Sequence, residues 1–181
     1  MVQDTKRRRA GDTDAMKKVT LPCGELVAAL GQGTWRIGDD PTRRQEEIDC
    51  LRRGIDLGLT LIDTAEMYGE GRSEALVGQA IEGRRDEVFI VSKVYPHNAS
   101  LRSMPVSCDN SLKRLRIDAI DLYLLHWRGQ YPLEETVEAF ERLRDAGKIG
   151  RWGVSNFDLD DLQELVAPTC ATNQVLYNPE A

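Results

Sequence analysis

The sequence has no long apolar run and few of the residues that build metal or disulfide sites. Its longest apolar stretch, residues 57–62, is interrupted by Gly58 and Thr60 and falls far short of the ~20 residues that a membrane helix needs. There are only two histidines, and the four cysteines stand too far apart for a CxxC motif. These features predict a protein with reduced cysteines, no membrane span and no metal site. The cysteines are Cys23, Cys50, Cys108 and Cys170.

A strong positive charge and a secretory signal are also lacking. The formal net charge is -6, which argues against nucleic-acid binding despite the basic cluster at residues 6–9. No apolar segment follows that cluster, so a secretory signal is not recognised and a cytoplasmic location is expected. The polar composition predicts a disordered tail over residues 1–18, followed by one folded domain over residues 19–181.

What the sequence does contain is an alternation of short apolar runs and amphipathic stretches, the pattern of parallel strands joined by crossover helices. No linker interrupts it. A tight turn at Gly24 predicts a small hairpin ahead of the alternation, formed by residues 19–22 and the residues from 26 onward. The predicted strands of the sheet are 27–30, 59–63, 88–93, 119–126, 150–155 and 173–177.

Turn and capping residues mark the predicted helices. Asp40 and Pro41 open the first helix and Gly58 ends it. Ser73 is expected to cap the second helix, and Asp158 the last one, which is predicted over residues 159–166. The third and fourth helices are predicted over residues 103–115 and from Leu133 to Gly147.

Two architectures fit such repeats, a doubly wound sheet and a (β/α)8 barrel. A doubly wound dinucleotide fold needs GxGxxG after its first strand. Residues 31–36 place Arg36 at the third glycine position, and residues 69–74 place Glu74 there. Reactive groups fall instead at the carboxyl ends of several strands, as in a barrel. The sequence therefore predicts an α/β fold of the TIM-type (β/α)8 class.

Four polar residues stand at the ends of apolar strands or in the loop that follows, where Tyr68 lies five residues beyond Asp63: Asp63, Tyr68, Lys93 and His126. A buried charge is costly unless it is paired, so a shared chemical purpose is favoured over four structural accidents. A phenol has a pKa near ~10, and a neighbouring ammonium held by a carboxylate favours the phenolate that remains after proton transfer. An imidazole beside them can orient a carbonyl oxygen. The group has the outline of a carbonyl-reducing site.

Five motifs in order resemble the aldo-keto reductases. The resemblance extends over about residues 19–179, and it implies a (β/α)8 barrel that binds NADPH, with NADH as the alternative, and reduces small aldehydes or ketones. The motifs are Asp63-Thr64-Ala65-x-x-Tyr68-Gly69, Ser92-Lys93, Leu124-Leu125-His126-Trp127, Gly153-Val154-Ser155-Asn156-Phe157 and Asn173-Gln174-Val175.

The resemblance also implies individual roles. Tyr68 becomes the proton donor, Lys93 and Asp63 its pKa-setting partners, and His126 the group that orients substrate. The implied cofactor-binding residues are Gly33, Thr34, Trp35, Asp63, Ser155, Asn156 and Gln174. The implied substrate-binding residues are Trp35, Tyr68, Tyr95, His126 and Trp127.

The number of strands departs from a complete barrel, which needs about 250 residues and eight strands. Only six strands are predicted, so we expect a truncated barrel whose first and sixth strands have open edges able to self-associate. In the family, the aromatic residue that stacks on nicotinamide and the groups that hold the adenosine 2'-phosphate come later than the sixth strand. An alternative function therefore stays open: a catalytically impaired fragment or a non-enzymatic binding module on the same scaffold.

Overall fold

The computed structural model describes residues 16–178. A small antiparallel hairpin comes first and is followed by a six-stranded parallel sheet with helices on its outer face. The predicted tail lies outside the described residues except for residues 16–18, of which Lys18 already begins the first strand. In the described part of the chain, no helix combines the length and the apolar character that crossing a membrane requires.

The hairpin is confirmed, but the predicted first strand of the sheet is wrong. Strand β1 (Lys18–Thr20) pairs with β2 (Leu26–Ala28), so the first half of the predicted strand 27–30 belongs to the hairpin. The sheet begins instead with β3 (Gly31–Gly33), which runs parallel to the next strand. A Cβ atom on Gly31 would lie 2.6 Å from Leu61 Cδ2, so this strand depends on glycine and lacks the apolar pattern by which strands are recognised.

Strands and helices then alternate along the chain, and every neighbouring pair of strands in the sheet is parallel, in the order β3-β4-β5-β6-β7-β8. The sheet curls into six-eighths of a (β/α)8 barrel, and among residues 16–178 its first and last strands, β3 and β8, have open edges, as predicted. The elements are α1 (Arg44–Asp56), β4 (Leu61–Asp63), α2 (Arg72–Ala80), β5 (Phe89–Val94), α3 (Met104–Leu115), β6 (Ile120–Leu125), α4 (Leu133–Asp145), β7 (Ile149–Ser155), α5 (Leu159–Glu164) and β8 (Asn173–Gln174).

Two of the three predicted capping positions are confirmed. Asp40 accepts a hydrogen bond from Thr42 N at 2.9 Å, opening a short 3-10 turn before α1. Asp158 accepts from Asp161 N at 2.9 Å in a reciprocal capping box at the start of α5. Ser73 does not cap α2, which begins one residue earlier at Arg72. Ser73 is instead a buried hydroxyl within the helix.

The predicted ends of the last two elements also differ. Helix α5 ends at Glu164 rather than at residue 166, and β8 covers only Asn173–Gln174 rather than 173–177. Beyond Gln174 the apolar side chains of Val175, Leu176 and Tyr177 are exposed, because no further strand of the described chain pairs there.

The strands divide the interior into two apolar layers. Alternate residues of each strand pack outward against the helices, where Phe140 stacks on Trp152 with ring centroids 5.2 Å apart. The opposite residues form a smaller inner cluster around Val91, Leu122 and Leu124. Because side chains alternate along a strand, residues two positions beyond this inner cluster also face the barrel interior at its carboxyl end.

A buried ion pair ties α2 to β5 and α3. The Glu74 carboxylate is fully buried, accepts a hydrogen bond from Ser92 Oγ at 2.6 Å and pairs with Arg114 Nε at 2.6 Å. The residue that breaks the glycine motif of residues 69–74 is therefore a structural anchor between elements of the outer layer.

We predict that Glu74→Ala lowers the free energy of unfolding by about 2–4 kcal/mol, because it leaves the buried Ser92 hydroxyl and the partly buried Arg114 Nε without their acceptor. The matched control is Glu82→Ala. Glu82 also pairs with an arginine of this region, Arg116, but both side chains are more than half exposed, so its loss should cost under about 1 kcal/mol. Urea unfolding measures both, and equal effects would contradict the prediction.

Candidate active site

Three strands deliver polar side chains to one end of the barrel. Asp63 is the last residue of β4, Lys93 is the penultimate residue of β5, and His126 directly follows β6. Each lies two positions beyond an inner-face residue, Leu61, Val91 or Leu124. The alternation of side chains therefore points all three into the barrel at its carboxyl end.

Lys93 is the centre of the site. Its side chain is only 2% exposed, and Nζ donates to Asp63 Oδ1 at 2.7 Å and to Oδ2 at 2.8 Å. Nζ also lies 3.0 Å from the carbonyl oxygen of Thr64 and 3.4 Å from the hydroxyl oxygen of Tyr68. All of these acceptors come from β4 and the loop that follows it, so the ammonium holds that loop over β5.

Tyr68 and His126 complete the predicted group of four. Lys93 Nζ lies 5.0 Å from the centre of the Tyr68 ring. The rings of Tyr68 and His126 meet edge to face, with centroids 5.8 Å apart. His126 is only 7% exposed, and its Nδ1 atom has no hydrogen-bond partner among the described residues. The four side chains predicted to share one site do lie together, and Asp63, Tyr68, Lys93 and His126 are called the tetrad below.

The electrostatics differ from the expectation that Lys93 favours ionisation of Tyr68. Burial, and then the charge of Asp63, raise the pKa of Tyr68 to about 12. Burial also lowers the pKa of Lys93, although the Asp63 carboxylate opposes that shift. Because Asp63 contacts Lys93 with both oxygens, the carboxylate offsets the field of the ammonium at the phenol. Tyr68 is therefore firmly protonated at neutral pH.

His126 is held in its neutral form. Burial, and then the positive charge of Lys93, lower the pKa of its imidazole to about 4. At neutral pH the ring therefore carries one N–H donor and one acceptor nitrogen. A neutral imidazole can donate a hydrogen bond to a carbonyl oxygen without adding a charge to the site.

The amide and hydroxyl groups predicted from β7 and β8 reach the same end of the barrel. Gln174 Nε2 donates to Asp63 Oδ2 at 2.9 Å. Asn156 Nδ2 donates to the His126 carbonyl oxygen at 3.0 Å and to Ser155 Oγ at 3.1 Å. Hydrogen bonds thus connect Gln174 and Asn156 to residues of the tetrad, with Ser155 joined through Asn156.

Thr34 and Trp35 follow β3 directly, and the two residues, which the family resemblance placed near the cofactor and substrate, differ in their surroundings. Thr34 is fully buried, and its Oγ1 donates to the Asp63 carbonyl oxygen at 2.9 Å and lies 2.7 Å from Ser73 Oγ. Its side chain braces the Asp63 backbone. Trp35 is 66% exposed, with the Arg36 guanidinium 4.8 Å from its ring centre. Gly33 is exposed at the edge strand.

An aromatic wall extends from His126. Its ring centroid lies 4.9 Å from that of Trp127, which in turn meets Tyr95 edge to face at 6.1 Å. The exposed His97 ring stacks at a tilt on Tyr95, with centroids 4.6 Å apart. Tyr95 and Trp127, both predicted to contact substrate, are therefore joined to the tetrad through a continuous aromatic surface.

Several residues of the site were not singled out from the sequence. The carbonyl oxygen of Thr64 receives the Lys93 ammonium. Glu66 accepts a hydrogen bond from Tyr95 N at 2.6 Å. Glu66 occupies a variable position of the motif around Tyr68, and its role depends on partners about 30 residues away. No group of three or more His, Cys, Asp or Glu side chains among residues 16–178 is arranged to hold a metal ion.

Comparison with known proteins decides the family. Residues 29–180 match the Aldo/keto reductase family. The chain belongs to the aldo-keto reductase family. The motifs that carried the resemblance in the sequence include Asp63, Tyr68, Lys93 and His126, which the fold brings to the carboxyl end of the barrel.

Individual relatives agree with this assignment. The chain is 56% identical over 156 residues to methylglyoxal reductase YeaE of Escherichia coli, covering 84% of this chain and 55% of that protein. It is 42% identical over 161 residues to aldo-keto reductase YhdN of Bacillus subtilis, covering 80% of this chain and 49% of that protein.

A crystal structure of an aldo/keto reductase from Klebsiella pneumoniae, in complex with NADP and acetate, is similar as well. It is 55% identical with a TM-score of 0.86, and the match covers 90% of this chain and 59% of that one. The present chain thus spans about half to three-fifths of the length of these relatives.

The lowered pKa of His126 makes stability depend on pH. The imidazole has an ordinary pKa of 6.5 and a folded-state pKa of about 4, so between these values the unfolded chain binds the proton that the folded chain excludes. Folding stability should therefore fall as the pH drops from about 6.5 to about 4, by up to about 3 kcal/mol from this group.

Urea unfolding at several pH values should show a smaller loss in His126→Gln than in the unchanged chain, because other acid-sensitive groups remain in both. His97→Gln removes the only other imidazole of the sequence, which is exposed, and should keep the full loss. Parallel curves for the unchanged chain and His126→Gln would contradict the buried neutral imidazole.

Proposed function

We propose that this chain carries the catalytic part of an NAD(P)H-dependent reductase that converts small aldehydes or ketones to alcohols, with Tyr68 as the proton donor. One observation supports the proposal above the others. The Tyr68 hydroxyl lies 3.4 Å from a buried Lys93 ammonium that Asp63 grips with both carboxylate oxygens. Positioned polar groups of this kind, shielded from water, are what proton transfer to a carbonyl oxygen requires.

Proton transfer then proceeds through the chain's own residues. The carbonyl oxygen of the substrate accepts hydrogen bonds from neutral His126 and from the Tyr68 hydroxyl. Tyr68 gives its proton to that oxygen as the carbonyl carbon is reduced, and the alcohol forms. The resulting phenolate lies beside the Lys93 ammonium, an opposite charge that offsets part of the cost of forming it in a buried site next to Asp63. Protonated Tyr68 and neutral His126 are the forms that the buried site favours at neutral pH.

The rim residues fit a nicotinamide. Ser155, Asn156 and Gln174 offer one hydroxyl and two amides near the tetrad, which suits a carboxamide group that both donates and accepts. When bound, the reduced cofactor supplies the hydride that the carbonyl carbon receives. We assign NADPH as the preferred cofactor because the Klebsiella relative holds NADP. NADH is the alternative, since a 34% identical relative from Escherichia coli is an NADH-specific methylglyoxal reductase.

The aromatic wall favours a small, compact carbonyl substrate. Trp127 and Tyr95 offer an apolar surface beside His126, and rigid aromatic surfaces of this kind orient small ligands with few polar contacts. Two of the relatives are methylglyoxal reductases, which supports short aldehydes and ketones as first substrates to test. A cytoplasmic location, the lack of nucleic-acid binding and self-association at the sheet edges remain predictions.

Because the chain spans only about half to three-fifths of the length of its relatives, its affinity for the cofactor is the first property to measure. Isothermal titration of the purified chain with NADPH separates the reductase from the alternative of an impaired fragment or binding module. Micromolar binding supports the reductase. No binding would favour the alternative, because then the tetrad is assembled without the means to hold its cofactor.

We predict that Tyr68→Phe lowers the rate of NADPH oxidation with 4-nitrobenzaldehyde by about 10²–10⁴-fold, the usual range for loss of a general acid. NADPH affinity should stay unchanged. The matched control is Tyr131→Phe, since among residues 16–178 the Tyr131 hydroxyl donates only to the His97 carbonyl oxygen, at 3.4 Å, and this variant should keep full activity. Equal rates in Tyr68→Phe and the unchanged chain would rule out Tyr68 as donor.

A further inference from the structure

Glu66 lies two residues before Tyr68, in the loop between β4 and α2, and its carboxylate bridges three separate segments. One oxygen accepts from Tyr95 N at 2.6 Å and from Asn98 Nδ2 at 3.2 Å. The other accepts a hydrogen bond from Ser107 Oγ on α3. The backbone N–H of Glu66 donates to the Lys93 carbonyl oxygen at 3.3 Å.

We propose that Glu66 is a positioning residue that holds the Tyr68 hydroxyl over Lys93 and fixes the Tyr95 side of the aromatic wall. This inference rests on the proposed function, since it assigns Glu66 to the same proton transfer. Glu66 acts through its neighbours, because its side chain joins the loop that carries Tyr68 to the segment that follows β5, the strand of Lys93.

The chemistry of the three partners explains why the residue is a carboxylate. Tyr95 N, Asn98 Nδ2 and Ser107 Oγ all act as donors toward it, and a carboxylate offers acceptors on both oxygens. A glutamine of the same size has one acceptor oxygen instead of two, so at best the Ser107 hydroxyl must turn to accept from its NH2 group. Hydrogen bonds to an ionised acceptor are also roughly twice as strong as neutral ones.

The loop needs such an anchor because its backbone is strained on the other side of Tyr68. Glu70 adopts a left-handed conformation with φ 54°, directly after Gly69 with φ 57°. A non-glycine residue in this region is strained and persists only where the surroundings determine it. Helix α2 fixes the loop after Tyr68, and Glu66 fixes it before.

A carboxylate with a purely structural role would make the same contacts, so the experiments must measure the protonation of Tyr68 and the rate of turnover. Glu135 supplies the matched control. It is partly buried like Glu66 and accepts a hydrogen bond from a backbone N–H, Leu101 N at 3.0 Å. Its link joins α4 to the segment before α3 and does not reach Tyr68.

The first measurement is the titration of Tyr68 in Glu66→Gln and Glu135→Gln, followed by NMR of tyrosines carrying 13C at the ring carbon bonded to the hydroxyl. Tyr68→Phe assigns the signal. Released from its anchor, the phenol gains solvent, so the pKa should fall from about 12 toward the ordinary ~10 in Glu66→Gln. Glu135→Gln should leave it unchanged. Glu66→Asp serves instead if Glu66→Gln does not fold.

The second measurement is turnover with NADPH and 4-nitrobenzaldehyde. Displacement of a reacting group by about 1 Å costs up to about 10²-fold in rate, so Glu66→Gln should lower kcat by about 10–100-fold while the KM for NADPH stays within about twofold. Glu135→Gln should keep both constants. Hydrogen exchange at the Tyr95 amide, which donates to Glu66, should accelerate in Glu66→Gln alone.

Unchanged kcat and Tyr68 pKa in Glu66→Gln, with stability lowered as in Glu135→Gln, would overturn the positioning role and leave a structural tie. Failure of the proposed function gives a different result. If the unchanged chain shows no turnover, that function fails, whereas the Tyr68 titration and Tyr95 exchange still decide whether Glu66 sets the position of the phenol.

Discussion

The buried ammonium of Lys93 is the constraint from which the rest of the site follows. A lysine that is 2% exposed needs acceptors in the protein, because an unpaired buried charge costs several kcal/mol. Asp63, the Thr64 carbonyl and Tyr68 supply them, and all three come from the end of β4 and its loop. To supply these acceptors, the loop must fold back over β5, and the same fold-back positions the Tyr68 hydroxyl beside Lys93.

The same pairing sets the protonation states. Because Asp63 binds Lys93 through both oxygens, the pair presents little net charge to its neighbours, and burial then dominates. Burial favours the neutral form of each group, so the pKa of Tyr68 rises to about 12 and that of His126 falls to about 4. The resting site is neutral apart from one tight ion pair, and its phenol still carries the proton that a carbonyl oxygen would take.

The sequence predicted the centre of this site better than its surroundings. Asp63, Lys93 and His126 stand at the ends of strongly apolar strands, and strand alternation alone is enough to aim them inward. Strand β3 was missed because Gly31 and Gly33 leave no apolar pattern, and Ser73 was misplaced because a helix start and a buried hydroxyl look alike in sequence. Glu66 gave no signal because its partners are distant along the chain and are chosen by tertiary packing.

The position of each group within the sheet separates two parts of the site. The tetrad comes from β4, β5 and β6, which have strands on both sides, so its geometry is supported from both directions. The groups suited to nicotinamide come from β7 and from the edge strand β8, which pairs through only two residues. The proposed proton transfer thus depends on the best-supported strands, whereas the proposed cofactor contacts depend partly on the least supported one. Gln174 links the two parts, since its amide on the edge strand binds the Asp63 carboxylate that holds Lys93.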